Sequence, residues 1–128
     1  MLRILLIDDE VSLTRSMKRA LEQVEVCEVR TANSGTQGLA SILEFHPDIV
    51  LLDILMPDMR GTDVLAAMRA DPRFDGTRVV FLTAVPPHDH LAPPEPNPRR
   101  PLLEGCPYLI KPVTGAEAMA EVRRVMAA

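Results

Sequence analysis

The chain has 128 residues, 47% of them hydrophobic, with two cysteines and a net charge of −4. That is enough for one domain, spanning residues 1–128, that buries roughly two thirds of the surface its unfolded form exposes and folds without disulfide staples. Acidic and basic residues are interspersed with no long run of either sign, so nothing points to direct nucleic-acid binding. No apolar run has the length of a signal peptide or a membrane span, so the expectation is a cytoplasmic protein with no membrane partner. Cys27 and Cys106 lack metal-ligand spacing and read as free thiols of a reducing compartment.

Apolar strand-like runs alternate with segments of helical period from end to end, the pattern of a doubly wound parallel sheet with helices on both faces. The first strand, Arg3 to Ile7, runs into Asp8-Asp9-Glu10. Leu13, Met17, Ala20, Leu21 and Val24 then recur at helical spacing, which predicts a helix over about Val11 to Val24 with Asp9 and Glu10 at its positive end. A second strand, about Cys27 to Thr31, leads to a helix capped by Asn33 or Ser34, with Leu39, Ile42 and Leu43 on its buried side. His46 and Pro47 close that helix, so His46 reads as an exposed capping residue rather than a ligand.

Ile49-Val50-Leu51-Leu52 is an unbroken apolar run, the sign of a strand buried on both faces, and it ends in Asp53. In open α/β sheets that end of a strand is where ligands and chemistry gather. Pro57 and Gly61 break the chain before a third helix, which starts near Thr62, carries Val64, Leu65 and Met68 inward and stops before Asp71-Pro72. A fourth strand, Arg78 to Leu82, ends in Thr83-Ala84. Beyond it the pattern fails: seven of the sixteen residues from Pro86 to Pro101 are proline, which excludes a regular helix over most of the stretch. Arg100 to Glu104 has room for a turn or two of helix, with Gly105 as its C-terminal cap. A last strand, Tyr108-Leu109-Ile110, ends in Lys111-Pro112. A final helix follows from about Gly115, with Ala118, Met119, Val122 and Val125 or Met126 as its apolar stripe.

Three carboxylates, Asp8, Asp9 and Asp53, thus stand at the ends of two strands that a doubly wound order places side by side. Like charges this close raise one another's pKa unless a cation binds among them, and magnesium, which prefers a few carboxylates plus waters and phosphate oxygens, answers that problem. Lys111 and the Thr83 hydroxyl, together with Mg²⁺, suit the equatorial oxygens of a transferring phosphoryl group, with Asp53 as nucleophile.

Taken in order, Leu6-Ile7-Asp8-Asp9, Ile49 to Asp53 with Met56-Pro57 and Gly61, Phe81-Leu82-Thr83-Ala84, and Tyr108-Leu109-Ile110-Lys111-Pro112 resemble a response-regulator receiver domain of two-component signalling. The resemblance covers the chain nearly end to end. It implies a five-stranded sheet in the order 2-1-3-4-5, with Asp53 as phosphoacceptor from a sensor histidine kinase or phosphotransfer protein. It also implies Asp9 as direct metal ligand, Asp8 as ligand through water and the Leu55 backbone carbonyl as a further ligand. Thr83 and Lys111 bind the phosphoryl group by the same resemblance, small Ala84 leaves it room, and Tyr108 is the aromatic switch that swings inward when Thr83 is drawn to the phosphate. The signal then passes to a downstream effector protein or output domain. Leu55 and Val85 match positions where polar residues orient the hydrolytic water, so their apolar character implies slow self-dephosphorylation. Where the family has a regular fourth helix, part of its usual output and dimerisation face, this chain has its proline-rich segment. The expectation there is an extended or mobile loop, and a monomer or a dimer built on another surface.

Other readings account for less. Helix capping by Asp8 or Asp9 needs one acid and explains neither Asp53 nor Lys111. Tyr108 alone is compatible with a half-buried strand aromatic, and Lys111 alone with a solvated charge. His88-Asp89-His90 lacks further ligands for a metal, and the PxxP spacings at Pro93 to Pro96 and Pro98 to Pro101 read as irregular loop. The chain is thus expected to be no enzyme beyond its own Mg²⁺-dependent phosphorylation and dephosphorylation. A receiver-like module that is never phosphorylated is the alternative. A phosphatase with an aspartyl-phosphate intermediate needs a second acid where Leu55 stands, and a flavin's phosphate would be repelled by Asp8-Asp9-Glu10.

Overall fold

The computed structural model describes residues 1–84 and 102–128. Five strands form one parallel sheet: β1 (Leu2–Ile7), β2 (Cys27–Ala32), β3 (Ile49–Leu52), β4 (Arg78–Thr83) and, after a two-residue strand β5 (Leu102–Leu103), β6 (Cys106–Ile110). Their order is β2-β1-β3-β4-β6-β5, the expected doubly wound arrangement with one addition at the edge. Among the described residues, four α-helices flank the sheet: α1 (Val11–Val24), α2 (Gly35–Phe45), α3 (Gly61–Arg69) and α4 (Gly115–Ala127).

The sheet divides the core in two by strand alternation. Leu5, Ile7, Val50, Leu52, Val79 and Phe81 point to one side, where Ile42 and Phe45 of α2 and Val64, Leu65 and Met68 of α3 cover them. Ile4, Leu6, Ile49, Leu51, Val80 and Leu82 point to the other, under Met17 and Leu21 of α1 and Ala118, Met119 and Val122 of α4. Because side chains alternate with period two, a single apolar run such as Ile49 to Leu52 supplies both cores, which is why it carries no polar residue.

The helix ends follow the local chemistry of the sequence. Ser34 is the cap of α2, its Oγ accepting from Gln37 N–H at 3.0 Å. His46 closes α2 in the left-handed conformation, with φ of 53° and its N–H bonded to the Ile42 carbonyl at 3.0 Å. Thr114 and Glu117 form a reciprocal capping box at the start of α4. Gly61 opens α3 so close to β3 that a Cβ there would lie 2.2 Å from the Asp53 carbonyl oxygen, so only glycine fits.

One expectation fails and another falls outside the described residues. Leu102 and Leu103 are not helical: they pair antiparallel with Pro107 and Cys106, so the sheet has a sixth strand rather than five. Glu104 and Gly105 both hold positive φ, 52° and 81°, the requirement of a tight two-residue hairpin turn. The property that made Gly105 look like a helix cap, tolerance of positive φ, serves the hairpin instead. Burial of Leu103, fully enclosed in the α2/α3 core, stabilises the strand pairing over a helical turn. The proline-rich stretch, with His88, His90, Val85 and most of the Arg100 to Glu104 turn's start, lies outside the described residues. Cys27 and Cys106 sit on β2 and β6 with three strands between them, about 19 Å at ordinary strand spacing and too far for a disulfide.

Leu103 anchors this edge, so Leu103→Ala is expected to lose about 2–4 kcal/mol of stability, read as a lower urea midpoint at unchanged slope. A loss below about 1 kcal/mol would show that the hairpin adds nothing to the core.

Candidate functional site

Register alone brings the sequence-predicted residues together. Ile7 pairs with Leu52, and Thr83 with Ile110, so Asp8 and Asp53 leave neighbouring strands at one level while Lys111 leaves next to Thr83. The ladders run one bond past the strand ends: Asp53 N–H donates to the Ile7 carbonyl at 2.9 Å, Asp8 N–H to the Ala32 carbonyl at 3.1 Å, and Lys111 N–H to the Thr83 carbonyl at 2.8 Å. Each site residue therefore inherits the position of a rigid strand. Alternation also sorts them. Continued by one residue, it puts Asp8, Asp53 and Lys111 on the side of α1 and α4, and Thr83 on the side where Tyr108 packs half-buried against the α2/α3 core.

Carboxylate oxygens of Asp8, Asp9 and Asp53 all lie within 4.8 Å of one another. Asp8 and Asp53 are nearly closed to solvent, at 6% and 7% exposure, as is Thr83 at 1%. The Lys111 ammonium reaches both buried acids, 2.5 Å from Asp8 Oδ2 and 3.6 Å from Asp53 Oδ1. Asp8 Oδ1 also accepts from Glu10 N–H at 3.0 Å, and Asp53 Oδ1 from Ile54 N–H at 2.9 Å.

The electrostatics follow from this crowding. Burial, and then the Asp8 charge, push the Asp53 carboxyl up to about 6 from an ordinary 3.8, against the opposing pull of Lys111 and the Ile54 N–H, with Asp9 adding to the rise. Burial by itself would lower Lys111, but its hydrogen bond to Asp8 and the charge of Asp53 outweigh that and hold the ammonium above its usual range. Three carboxylates and one ammonium leave excess negative charge in a confined space. All the donors are hard oxygens, the set that suits a divalent cation of the magnesium kind while leaving positions open for phosphate oxygens.

Sequence reasoning missed several supports. Asn33, one of two candidate caps for α2, instead donates from Nδ2 to the Asp8 carbonyl at 2.8 Å and to Thr14 Oγ1 at 3.2 Å, tying β1's end to α1. Asp58 accepts from the Gly35 and Thr36 N–H groups at 3.0 and 2.9 Å and from the Thr36 hydroxyl at 3.0 Å. The Thr36 and Gly35 amides hold its carboxyl down at about 2. An Asn-Ser-Gly start and a Pro-Asp loop were visible signals, but which partners they meet is decided by contacts more than twenty residues apart. Leu55, two residues after Asp53 and between the buried Ile54 and Met56, is half exposed.

A raised carboxyl makes the metal-free site sensitive to pH. Folded Asp53 keeps its proton up to about 6 while the unfolded residue releases it near 3.8, so this group's contribution favours folding at low pH. It is lost as pH rises through that window, by on the order of 3 kcal/mol at neutrality. Carbon-13 NMR of the Asp53 carboxyl is expected to show a midpoint near 6 without metal, and a downward shift on addition of Mg²⁺. An ordinary midpoint near 3.8 in the metal-free protein would contradict the crowding described here.

The model of the response regulator receiver domain matches residues 4–92. The chain is 40% identical over 82 residues to the DNA-binding response regulator MtrA of Mycobacterium tuberculosis, a match covering 64% of this chain and 34% of that protein. It is 34% identical over 83 residues to protein PilG of Pseudomonas aeruginosa, covering 65% and 61%. The match to MtrA thus spans about a third of that relative's length. Among solved structures it superposes on the response regulator TrrA of Thermotoga maritima, in complex with Mg²⁺ and BeF, with a TM-score of 0.78 and 27% identity over 98% of this chain and 99% of that one. The fold also matches chemotaxis protein CheY4 of Vibrio cholerae, with a TM-score of 0.76 and 24% identity over 98% of both chains. Strand order, the clustered acids and these matches agree: the chain belongs to the response regulator receiver domain family, the phosphoacceptor switches of two-component systems.

Proposed function

We propose that Asp53 accepts a phosphoryl group from the histidine of a sensor kinase or phosphotransfer protein, and that the resulting charge is relayed to a downstream effector or output domain. The observation that carries this reading is the convergence on Asp53: Asp8 and Asp9 oxygens within 4.8 Å and the Lys111 ammonium at 3.6 Å. Asp53 ends the central strand β3, beside Lys111. In the transfer, an Asp53 carboxylate oxygen forms the new bond to phosphorus. The bond from phosphorus to the donor imidazole nitrogen breaks, and that nitrogen keeps the electron pair. The three acids and the Leu55 backbone carbonyl would hold Mg²⁺, Asp9 directly and Asp8 through water, to neutralise charge on the phosphoryl oxygens.

Lys111 is the pre-set cation of the site. In the unphosphorylated protein it is engaged with Asp8 and Asp53, so a phosphoryl group arriving on Asp53 competes for a donor already in place. Thr83, at the end of β4, is the second proposed contact, and Ala84 beside it leaves room. Thr83 and Tyr108 lie on neighbouring strands on the α2/α3 side, with Thr83 opposite Ile110 and Phe81 opposite Tyr108. A shift of the Thr83 side chain toward the phosphoryl group would open space into which Tyr108, now half-buried, can turn; this is the proposed relay. None of the helices described is long and apolar enough to cross a membrane. With a net charge of −4, any nucleic-acid contact in the pathway is assigned to the partner or output domain, and the cytoplasm is the proposed location. Residues 1–128 act as a single receiver unit in this reading.

Incubation with Mg²⁺ and a small phosphodonor, followed by mass spectrometry, is expected to add one phosphoryl group, lost in Asp53→Asn and after chelation. Full labelling of that variant would move the acceptor elsewhere, and labelling without metal would remove the proposed role of the acids.

The half-exposed, apolar side chain of Leu55 offers no hydrogen bond to a hydrolytic water, and Val85 has none to offer either, so the phosphorylated form should be long-lived. Replacing both with polar residues should speed loss of the phosphoryl group by roughly tenfold or more. Decay of the unaltered protein at the rate of the double variant would refute the assignment.

A further inference from the structure

The loop between Asp53 and α3 is fastened at two places on either side of Leu55. On one side Gly61 N–H donates to the Ile54 carbonyl at 2.7 Å, and the missing Cβ of Gly61 lets α3 approach the Asp53 backbone. The other fastening lies on α2. The Asp58 carboxylate takes both the Gly35 and Thr36 amides and the Thr36 hydroxyl, three bonds across more than twenty residues. Beside it, Met59 occupies the place where a Cβ on Gly35 would stand, with its Cγ 2.2 Å and its Sδ 2.7 Å from that point. Ser34 already caps α2 through Gln37 N–H. The bonds to Asp58 are therefore additional to the helix's own cap, and they serve the loop as much as the helix.

We infer that Asp58 is a positioning residue for the metal and phosphoacceptor site: its bonds to the start of α2 hold the Ile54 to Arg60 loop in the shape that presents the Leu55 carbonyl. This rests on the proposed function. A carbonyl held in place before the cation arrives loses little freedom on binding, whereas a carbonyl on a slack loop must be ordered by the cation itself. Asp58 makes no contact with Asp8, Asp9, Asp53 or Lys111 among its hydrogen bonds, so its effect is transmitted through the chain. Asp58 itself is exposed and lies outside both core clusters, so its replacement leaves the core side chains in place.

Calorimetric titration of the full chain with Mg²⁺ alone separates the possibilities. Asp58→Ala is expected to raise the Mg²⁺ dissociation constant roughly tenfold, in the range found when outer supports of metal ligands are removed. Labelling at saturating Mg²⁺ should stay close to that of the unaltered protein, because the reacting groups are intact. Asp58→Asn discards the charge but keeps one oxygen acceptor, enough for the Thr36 amide and hydroxyl that share Oδ2, and should recover part of the affinity. Amide exchange at Thr36 should be fast in the alanine variant and slow in the other two proteins. Unchanged affinity in Asp58→Ala, or an asparagine variant as weak as alanine, would overturn the inference, the second by assigning the effect to charge. Absence of Mg²⁺ binding by the unaltered chain would overturn the proposed function and this inference with it.

Discussion

Everything at this site depends on holding negative charges closer together than they would choose to be. Asp8 and Asp53 are nearly buried and share a 4.8 Å neighbourhood with Asp9, and one ammonium, from Lys111, lies against both buried acids. A surface cluster of this kind would splay apart in water. Here it cannot, because Asp8 and Asp53 are each the first residue past a strand whose four or more residues are locked in the sheet, and Lys111 is fixed in the same way. Core packing thereby holds the electrostatic strain, and the cost appears as the raised carboxyl of Asp53 rather than as a distorted backbone.

The two faces of the sheet give that strain two different audiences. Asp8, Asp53 and Lys111 belong to the α1 and α4 side, where Leu6, Leu51 and Leu82 form the floor. Thr83 and Tyr108 belong to the α2 and α3 side. In the proposed relay, a chemical event on one side that draws in Thr83 would pass to the other side through a residue at a strand end. The loop after Asp53 runs from β3 to α3 and is bonded on its way to α2, so it ties the phosphoacceptor strand to the helices of the α2 and α3 side.

At the edge of the sheet the short β5 covers only the start of β6, through Leu102 and Leu103. Arg69 of α3 donates to the Glu104 carbonyl in the hairpin turn and lies 3.8 Å from the Cys106 sulfur, so the turn is held to the α3 face. This joins the hairpin to the same half of the protein as Tyr108, and gives the strand that carries Lys111 a second support beyond its pairing with β4.

The amino-acid sequence by itself determined the five parallel strands, the helices between them and the residues at the strand ends, because buried strands demand unbroken apolar runs and a carboxylate that ends such a run is conspicuous. It also offered Asn33 or Ser34 as the start of α2, of which Ser34 is the cap, and His46 as its close, because that chemistry is local. The hairpin at Leu102 to Cys106 was misread because positive φ at Gly105 suits a helix end and a tight turn equally, and only the burial of Leu103 against a core built from distant strands selects between them. Asn33 and Asp58 were likewise decided by tertiary structure. Each is a polar residue in a turn whose local options are several, and its partner lies twenty or more residues away, brought near only when the sheet has formed. Which acids cluster within reach of Lys111, and how far Asp53 is pushed from its ordinary titration, is a matter of register between strands, a quantity that no local stretch of chain contains.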